Sequence, residues 1–112
     1  MNKGEIYYVN LGTPKGAEQA GARPVLIFQN NNITTYSRTV IIIPFTTNLN
    51  RAKLPGGVLV KQGEGGLLFD SVALCHQIRV VDKSRIERKL GTLPEDTVNK
   101  IEEAIKLILD LS

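Results

Sequence analysis

The sequence predicts a small, mainly β domain that ends in one amphipathic α-helix. Val, Ile, Tyr and Phe concentrate in short runs, and Gly, Pro and Asn clusters separate these runs, as in an all-β barrel or sandwich. A helical spacing of apolar residues occurs only in the C-terminal segment. The 112 residues suffice for one domain with a modest core, so dimerisation would help to bury apolar surface. We therefore predict a single domain over residues 1–112, with a β part at about 1–91 and a helix at about 93–110.

The apolar runs predict six strands. Turn-forming residues separate them at 12–14, 30–32, 55–57 and 63–66. The unbroken apolar run 40–43 predicts a central strand that is covered on both faces. The predicted strands lie at about 5–10, 24–29, 39–45, 58–60, 71–81 and 89–90.

The C-terminal helix is predicted from apolar residues at three- and four-residue steps, namely Val98, Ile101, Ile105 and Ile108. Residues 92–95, Thr-Leu-Pro-Glu, have the pattern of a capping box at its start. Leucines at 107, 109 and 111 widen the apolar surface of the helix, which fits either a second packing partner or a frayed end. Residues 84–87 predict another helix of one turn with its own cap.

Composition excludes several kinds of site. Cys75 is the only cysteine and His76 the only histidine, which excludes an internal disulfide, a structural zinc site and a ribonuclease that uses paired histidines. Neighbouring strand residues point to opposite faces, so a Cys–His nucleophile is disfavoured and Cys75 is predicted to be packed rather than reactive. The acidic residues before the tail are scattered, unlike the clustered carboxylates of a magnesium nuclease. We therefore predict no metal and no cofactor.

The predicted location is the cytoplasm. The chain has no uncharged apolar run of about 18 residues, and no basic start followed by an apolar run and a cleavage site. The sequence thus predicts neither a membrane span nor a secretory signal.

The positive charge belongs to the first part of the chain. Residues 1–93 contain twelve Lys and Arg against six Asp and Glu, whereas residues 94–112 contain two against five. A basic body attracts a polyanion over about 8 Å at physiological salt, which fits RNA and equally an acidic protein tail. On a small domain, such a surface is also often needed only for solubility.

A loop of small residues, 16–22, ends in Arg23 and Pro24 and then enters an apolar strand. Its glycines and alanines allow close approach to a ligand backbone. The guanidinium of Arg23 offers a rigid fork of donors that fits a phosphate and does not deprotonate. The residues alone leave two interpretations open, an active-site loop or an ordinary connection.

Short motifs follow one another in a fixed order along almost the whole chain, at 4–7, 18–19, 29–30, 43–46, 52–55, 70–74, 77–79 and 82–83. In order and spacing they resemble the MazF and PemK (Kid) group of toxin endoribonucleases. The resemblance implies an SH3-like barrel with inserted loops and a C-terminal helix, which dimerises about a two-fold axis. It also implies a toxin of a type II toxin–antitoxin system, which cleaves RNA and is neutralised by a MazE-like antitoxin whose acidic, extended tail covers the same basic groove.

The resemblance implies that Arg23 and Thr46 are the catalytic pair. RNA supplies its own nucleophile, the 2′-hydroxyl, so an enzyme needs only to align it, stabilise the charge on phosphorus and assist proton transfer. The expected products are a 2′,3′-cyclic phosphate and a 5′-hydroxyl, formed without a metal. From the residues alone, Thr46 is an ordinary strand-end hydroxyl that satisfies a turn. Thr47 is the adjacent alternative.

Carboxylate and amide side chains can recognise the exposed edges of single-stranded RNA bases, which makes Glu18 and Gln19 candidate base-reading groups. These two side chains could equally do no more than solvate a mobile loop. His76 stands where relatives often carry an acidic residue, and it fits either a group that alters base preference or a half-exposed histidine with no role. The other candidate RNA contacts are Gly16, Leu54, Pro55 and Gln77.

Aromatic residues are few, at 5% of the chain, so extended base stacking is not expected, and Phe28, Phe45 and Phe69 are predicted to lie in the core. A rival function belongs to another class. A non-catalytic SH3-like module that binds RNA or a peptide, or a degenerate toxin that keeps only its partner, would need the cation of Arg23 but not the hydroxyl of Thr46.

Overall fold

The computed structural model describes residues 1–13 and 15–112, so Pro14 of the predicted turn 12–14 lies outside the described residues. Within these residues the chain forms seven β-strands and two α-helices. The strands are β1 (Glu5–Asn10), β2 (Ala22–Ile27), β3 (Thr39–Thr46), β4 (Gly57–Val60), β5 (Ser71–Leu74), β6 (Arg79–Asp82) and β7 (Ile86–Thr92). The helices are α1 (Asn31–Tyr36) and α2 (Glu95–Leu109).

The strands form one antiparallel sheet in the order β4-β5-β3-β2-β1-β7, with β6 also paired to β3. The sheet curls so that the segment after β4 meets β7 at the other end. A Cβ added to Gly66, whose φ is +80°, would lie 2.1 Å from the carbonyl oxygen of Leu90, so only glycine fits this approach. The result is a barrel-like sheet with a C-terminal helix, and the predicted fold class is confirmed.

Both faces of the sheet are packed, which explains the continuous apolar runs. In β2, the side chain of Leu26 joins one core cluster with Ile101 and Ile105 of α2, whereas its neighbours Val25 and Ile27 join a second cluster. Alternation along a strand thus places successive apolar residues in different clusters. The run 40–43 follows the same rule with one exception, because Ile41 is 37% exposed, so the prediction that both faces are covered is wrong at this residue.

The predicted long strand at 71–81 is wrong, because it is interrupted by a 3₁₀ helix at Cys75–Gln77. Ala73 of β5 pairs with Phe45, and Arg79 of β6 pairs with Ile42. Between these two pairs, three residue steps along β3 face six steps along the segment from β5 to β6. The extra residues of that segment leave the sheet as the 3₁₀ helix. This bulge places candidate residues His76 and Gln77 outside the ladder.

Strand β7 also differs from the prediction. It is longer than the expected 89–90, because it pairs with β1 as far as Glu5↔Thr92. Thr92 is therefore a strand residue, α2 begins after Pro94 without a side-chain cap, and the predicted capping box is wrong. The predicted helix at 84–87 is instead a 3₁₀ helix at Lys83–Arg85, capped by the Asp82 carboxylate, which accepts from the Ser84 N–H at 2.8 Å.

The turn predicted at 30–32 starts the short helix α1. The side chain of Asn30 accepts hydrogen bonds from the N–H groups of Asn32 and Ile33, which satisfies two of the helix's free donors. A cluster of three asparagines gave no periodicity from which this helix could be predicted.

Helix α2 packs through Thr97, Ile101 and Ile105, which are buried, and it ends at Asp110 in the left-handed conformation. Its period was predicted correctly. Leu107, Leu109 and Leu111 are exposed. Among the described helices, none combines the length and the apolar character needed to cross a membrane.

Candidate active site

The two predicted catalytic residues line one cavity of about 350 Å³. Arg23 enters it from the start of β2, and Thr46 and Thr47 enter it from the end of β3. These strands pair with each other, so residues 23 positions apart in sequence reach the same cleft. The cavity has both polar and apolar walls, as ligand-binding sites commonly do.

The guanidinium of Arg23 is bound to the protein through Nε, and its two terminal nitrogens remain available. Its Nε donates to the carbonyl oxygen of Ala20 at 2.6 Å, and the residue is half-buried. No carboxylate forms an ion pair with it within residues 1–13 and 15–112. The two terminal nitrogens can therefore present a pair of parallel donors to an anion in the cavity.

The geometry of the Thr46 hydroxyl is compatible with both roles that the sequence left open. The residue is 7% exposed, and Oγ1 accepts a hydrogen bond from the N–H of Asn48 at 3.2 Å, as a turn-satisfying hydroxyl would. Because that bond uses only an acceptor site, the hydroxyl hydrogen can still be donated to a ligand oxygen in the cavity. Thr47 is exposed and lines the same cavity.

The side chain of Gln77 anchors the loop that precedes Arg23 through two hydrogen bonds. Its Oε1 accepts from the N–H of Gln19 at 2.9 Å, and its Nε2 donates to the carbonyl oxygen of Ala17 at 3.3 Å. Together with the bond from Arg23 to Ala20, these contacts hold the loop between the cavity and the 3₁₀ helix at 75–77. Gly16 and Glu18 of the loop are exposed, as is His76 beside Gln77.

One acceptor on this loop has no hydrogen-bond donor. The side-chain Oε1 of Gln19 is buried and has no partner among the described residues. A buried carbonyl oxygen without a partner costs about 1–3 kcal/mol. A shift of the loop that exposes this oxygen to a donor would remove that cost.

Leu54 and Pro55 approach the 3₁₀ helix at 75–77 rather than the cavity. Both are exposed, and the next residue, Gly56, accepts a hydrogen bond from the N–H of Cys75 at 2.9 Å. The candidate residues therefore form two groups. Arg23, Thr46 and Thr47 line the cavity, and Leu54, Pro55, His76 and Gln77 cluster around the 3₁₀ helix, with Gly16, Glu18 and Gln19 on the loop between the groups.

Cys75 is buried, as predicted, although it lies in the 3₁₀ helix and not in a strand. Burial raises the pKa of its thiol to about 11. The thiol is therefore protonated at neutral pH and is not a nucleophile.

Among the side chains that line the cavity, Phe69, Tyr8 and Arg88 were not predicted from the sequence. Phe69 was assigned to the core, but it is 65% exposed in the loop before β5, so that prediction is wrong. Tyr8 and Arg88 face each other across β1 and β7. Two register shifts between β1 and β7 break the simple alternation of side chains along β7, so Ile86 and Leu90 pack against different core clusters. The sequence pattern of β7 therefore carries no signal that could have found Arg88.

We predict that Gln77→Ala loosens the loop at 16–20 without unfolding the domain. The substitution removes two hydrogen bonds worth about 1 kcal/mol each, so the Gln19 amide hydrogen should exchange with solvent about tenfold faster or more. Hydrogen exchange measured by NMR checks this result. His76→Ala, at the exposed neighbouring position, is the control and should leave the exchange rate unchanged. Equal exchange rates of the Gln19 amide in wild type and Gln77→Ala would show that Gln77 does not anchor the loop.

Comparison with known proteins decides the family. The pattern of the PemK-like, MazF-like toxins of type II toxin–antitoxin systems matches residues 2–109. The chain belongs to this family. The family and the toxin–antitoxin context predicted from the sequence are thus confirmed.

Individual relatives agree with this MazF-like assignment over nearly their whole length. The chain is 39% identical to the endoribonuclease MazF of Staphylococcus saprophyticus over 99% of this chain and 92% of the relative. That relative is named as an endoribonuclease, the enzyme class predicted here from the sequence. Among solved structures, the Mycobacterium tuberculosis toxin MazF-mt6 superposes with a TM-score of 0.81 at 26% identity, covering 96% of this chain and 98% of that one.

A second solved structure is described as a mycobacterial endoribonuclease in complex with its cognate antitoxin. It superposes with a TM-score of 0.82 at 27% identity and covers all of this chain and 97% of its own. The fold of MazF from Deinococcus radiodurans is also shared, with a TM-score of 0.83 at 24% identity over 99% of this chain and 97% of that one.

Proposed function

We propose that this MazF-like toxin is a sequence-specific endoribonuclease that cuts single-stranded RNA without a metal ion. The 2′-hydroxyl of the substrate attacks the adjacent phosphorus, and the products are a 2′,3′-cyclic phosphate and a 5′-hydroxyl. The observation that supports this proposal most is that Arg23 and Thr46 line the same cavity, each with donor capacity to spare.

The chemistry requires that negative charge be stabilised as the phosphorus gains a fifth oxygen. The terminal nitrogens of Arg23 can donate two parallel bonds to non-bridging oxygens, and the half-buried site strengthens these interactions. Thr46 can donate a further bond to the same phosphate. A guanidinium stays protonated in proteins and is a poor acid or base, so the main contribution of Arg23 is charge and alignment rather than proton transfer.

Base recognition is assigned to the loop and the 3₁₀ helix. Glu18 is exposed on the loop that Gln77 fastens, so its carboxylate can accept from base amino groups. The Oε1 of Gln19, which has no hydrogen-bond donor among the described residues, can accept from a base when the loop shifts and exposes it. Gly16, the backbone at Leu54 and Pro55, and His76 surround these groups and complete the proposed base-contacting surface.

The proposed protein partners are a MazE-like antitoxin and a second copy of the chain. Solved relatives include a toxin with its cognate antitoxin and MazE–MazF assemblies. An acidic, extended antitoxin tail would complement the cation of Arg23 and cover the cavity. Exposed Ile41 and Val80, cross-strand neighbours on β3 and β6, support a two-fold dimer because pairing would cover them. Such a toxin acts where its RNA is, so we place it in the cytoplasm.

The test is to incubate the purified chain with a long, mixed-sequence RNA in EDTA and to map the 5′ ends of the products. Discrete cuts with 5′-hydroxyl ends, absent with Arg23→Ala, are expected. Intact RNA at high enzyme excess would refute the endoribonuclease and favour the non-catalytic binding module. Cuts that appear only when magnesium is restored would refute the metal-independent mechanism.

A further inference from the structure

A second guanidinium reaches the cavity from β7, which lies on the other side of β1 from β2. Arg88 of β7 lies over the ring of Tyr8 in β1, with its central carbon 4.6 Å from the ring centroid. Both residues line the cavity that contains Arg23 and Thr46. The cavity thus has one arginine on each of the two strands that flank β1.

Arg88 is available to a ligand, in contrast to the cation beside it. Lys89 is bound to the carboxylate of Glu5 at 2.6 Å and does not line the cavity. Arg88 is exposed, and no ion pair involves it in the part of the chain that the structure describes. Its charge is therefore uncompensated.

The Tyr8 ring holds the guanidinium of Arg88 over its face. Contact with an aromatic face does not use the N–H donors of the group, which stay free for an anion. A long side chain that is already ordered loses less conformational entropy when it binds. The arrangement suits a planar, multidentate contact with phosphate oxygens rather than a diffuse surface charge.

We propose that Arg88, supported by Tyr8, binds an RNA phosphate next to the scissile phosphate. This inference rests on the proposed function. An RNA strand brings one phosphate per nucleotide, so a strand with its scissile phosphate at Arg23 and Thr46 places a neighbouring phosphate along the same cavity. Arg88 is the cation at the other side of that cavity. The contact orients the strand and carries no sequence information.

The experiment measures steady-state cleavage of a short RNA by wild type, Arg88→Gln and Arg38→Gln. Arg38 is an exposed arginine outside the cavity, so its variant controls for the loss of one charge. Arg88→Gln should raise KM about tenfold while kcat changes little, because the lost bond is present in both the ground state and the transition state. The slope of log(kcat/KM) against log salt concentration should fall in magnitude by about 0.7, the value for one phosphate on a single strand.

Two further readouts distinguish a phosphate contact from a structural role. Arg88→Lys should restore the salt slope but not the full affinity, because it keeps the charge and loses the stacked fork. The cut sites mapped on a long RNA should be the same in wild type and Arg88→Gln. A change of cut sites would assign Arg88 to base recognition and overturn the proposal.

Different results would refute the phosphate contact of Arg88 and the proposed endoribonuclease activity. No cleavage by wild type would refute the endoribonuclease itself. Cleavage by wild type with the same KM and salt slope in Arg88→Gln and Arg38→Gln would refute only the phosphate contact. A weakened response of Arg88→Gln to an inhibitory acidic peptide, with unchanged RNA kinetics, would assign the residue to a protein partner and overturn the proposal as well.

Discussion

Arg23→Lys is expected to lower the rate of RNA cleavage about 100-fold or more, because a pre-positioned donor to the transition-state charge is lost. Arg23 uses Nε to bind the Ala20 carbonyl and keeps two terminal nitrogens for the phosphate. A lysine ammonium has one nitrogen and cannot hold the loop and bind two phosphate oxygens in the same geometry. Its charge remains, so RNA affinity should fall much less than the cleavage rate.

Single-turnover cleavage and binding should be measured side by side to separate these two effects. Binding can use an RNA with a 2′-deoxy sugar at the cut site, because that substitution removes the nucleophile. Arg38→Lys, an equivalent change outside the cavity, should be indistinguishable from wild type in both measurements. Unchanged turnover of Arg23→Lys would show that the fork is not needed, and equal losses in rate and affinity would reduce Arg23 to a binding group.

Local patterns predicted those parts of the fold that depend on neighbouring residues. Strand β1 coincides with the predicted 5–10, and the period of α2 was evident from its apolar residues. The 3₁₀ helix at 75–77 could not be predicted, because it arises from the mismatch between β3 and its two partner strands. Residues 71–82 are rich in Val, Ile and Leu, so their propensity favours one continuous strand.

The same distinction applies to the candidate site. Arg23 and Thr46 each stand in a recognisable local motif, and the pairing of β2 with β3 brings those motifs to one cavity. Tyr8 and Arg88 are 80 positions apart, and neither is distinctive until the register of β1 and β7 is known. Phe69 was assigned to the core from its residue type, whereas a loop position leaves it at the cavity.

Thr46→Val is expected to lower the cleavage rate about 100-fold or more while RNA binding stays close to the wild-type value. Valine has nearly the shape of threonine, so the packing at the end of β3 is kept and the hydroxyl alone is removed. A hydrogen bond to phosphate that strengthens as charge develops supports catalysis more than binding. The measurements are those used for Arg23. A non-catalytic module would instead show no RNA cleavage in wild type and the same RNA affinity in wild type and Thr46→Val.

A second consequence of this substitution must be separated from the first. Because Oγ1 of Thr46 accepts from the N–H of the exposed residue Asn48, valine removes that hydrogen bond, at a cost of about 0.5–1.5 kcal/mol of folding free energy. The Tm of each variant therefore has to be measured, and cleavage compared at a temperature where both proteins are folded. Thr46→Ser keeps the hydroxyl for both bonds and should recover most of the activity. If Thr46→Ser were as inactive as Thr46→Val, the hydroxyl would not be sufficient for activity, because serine keeps the hydroxyl, and the proposed catalytic role of that group alone would be refuted.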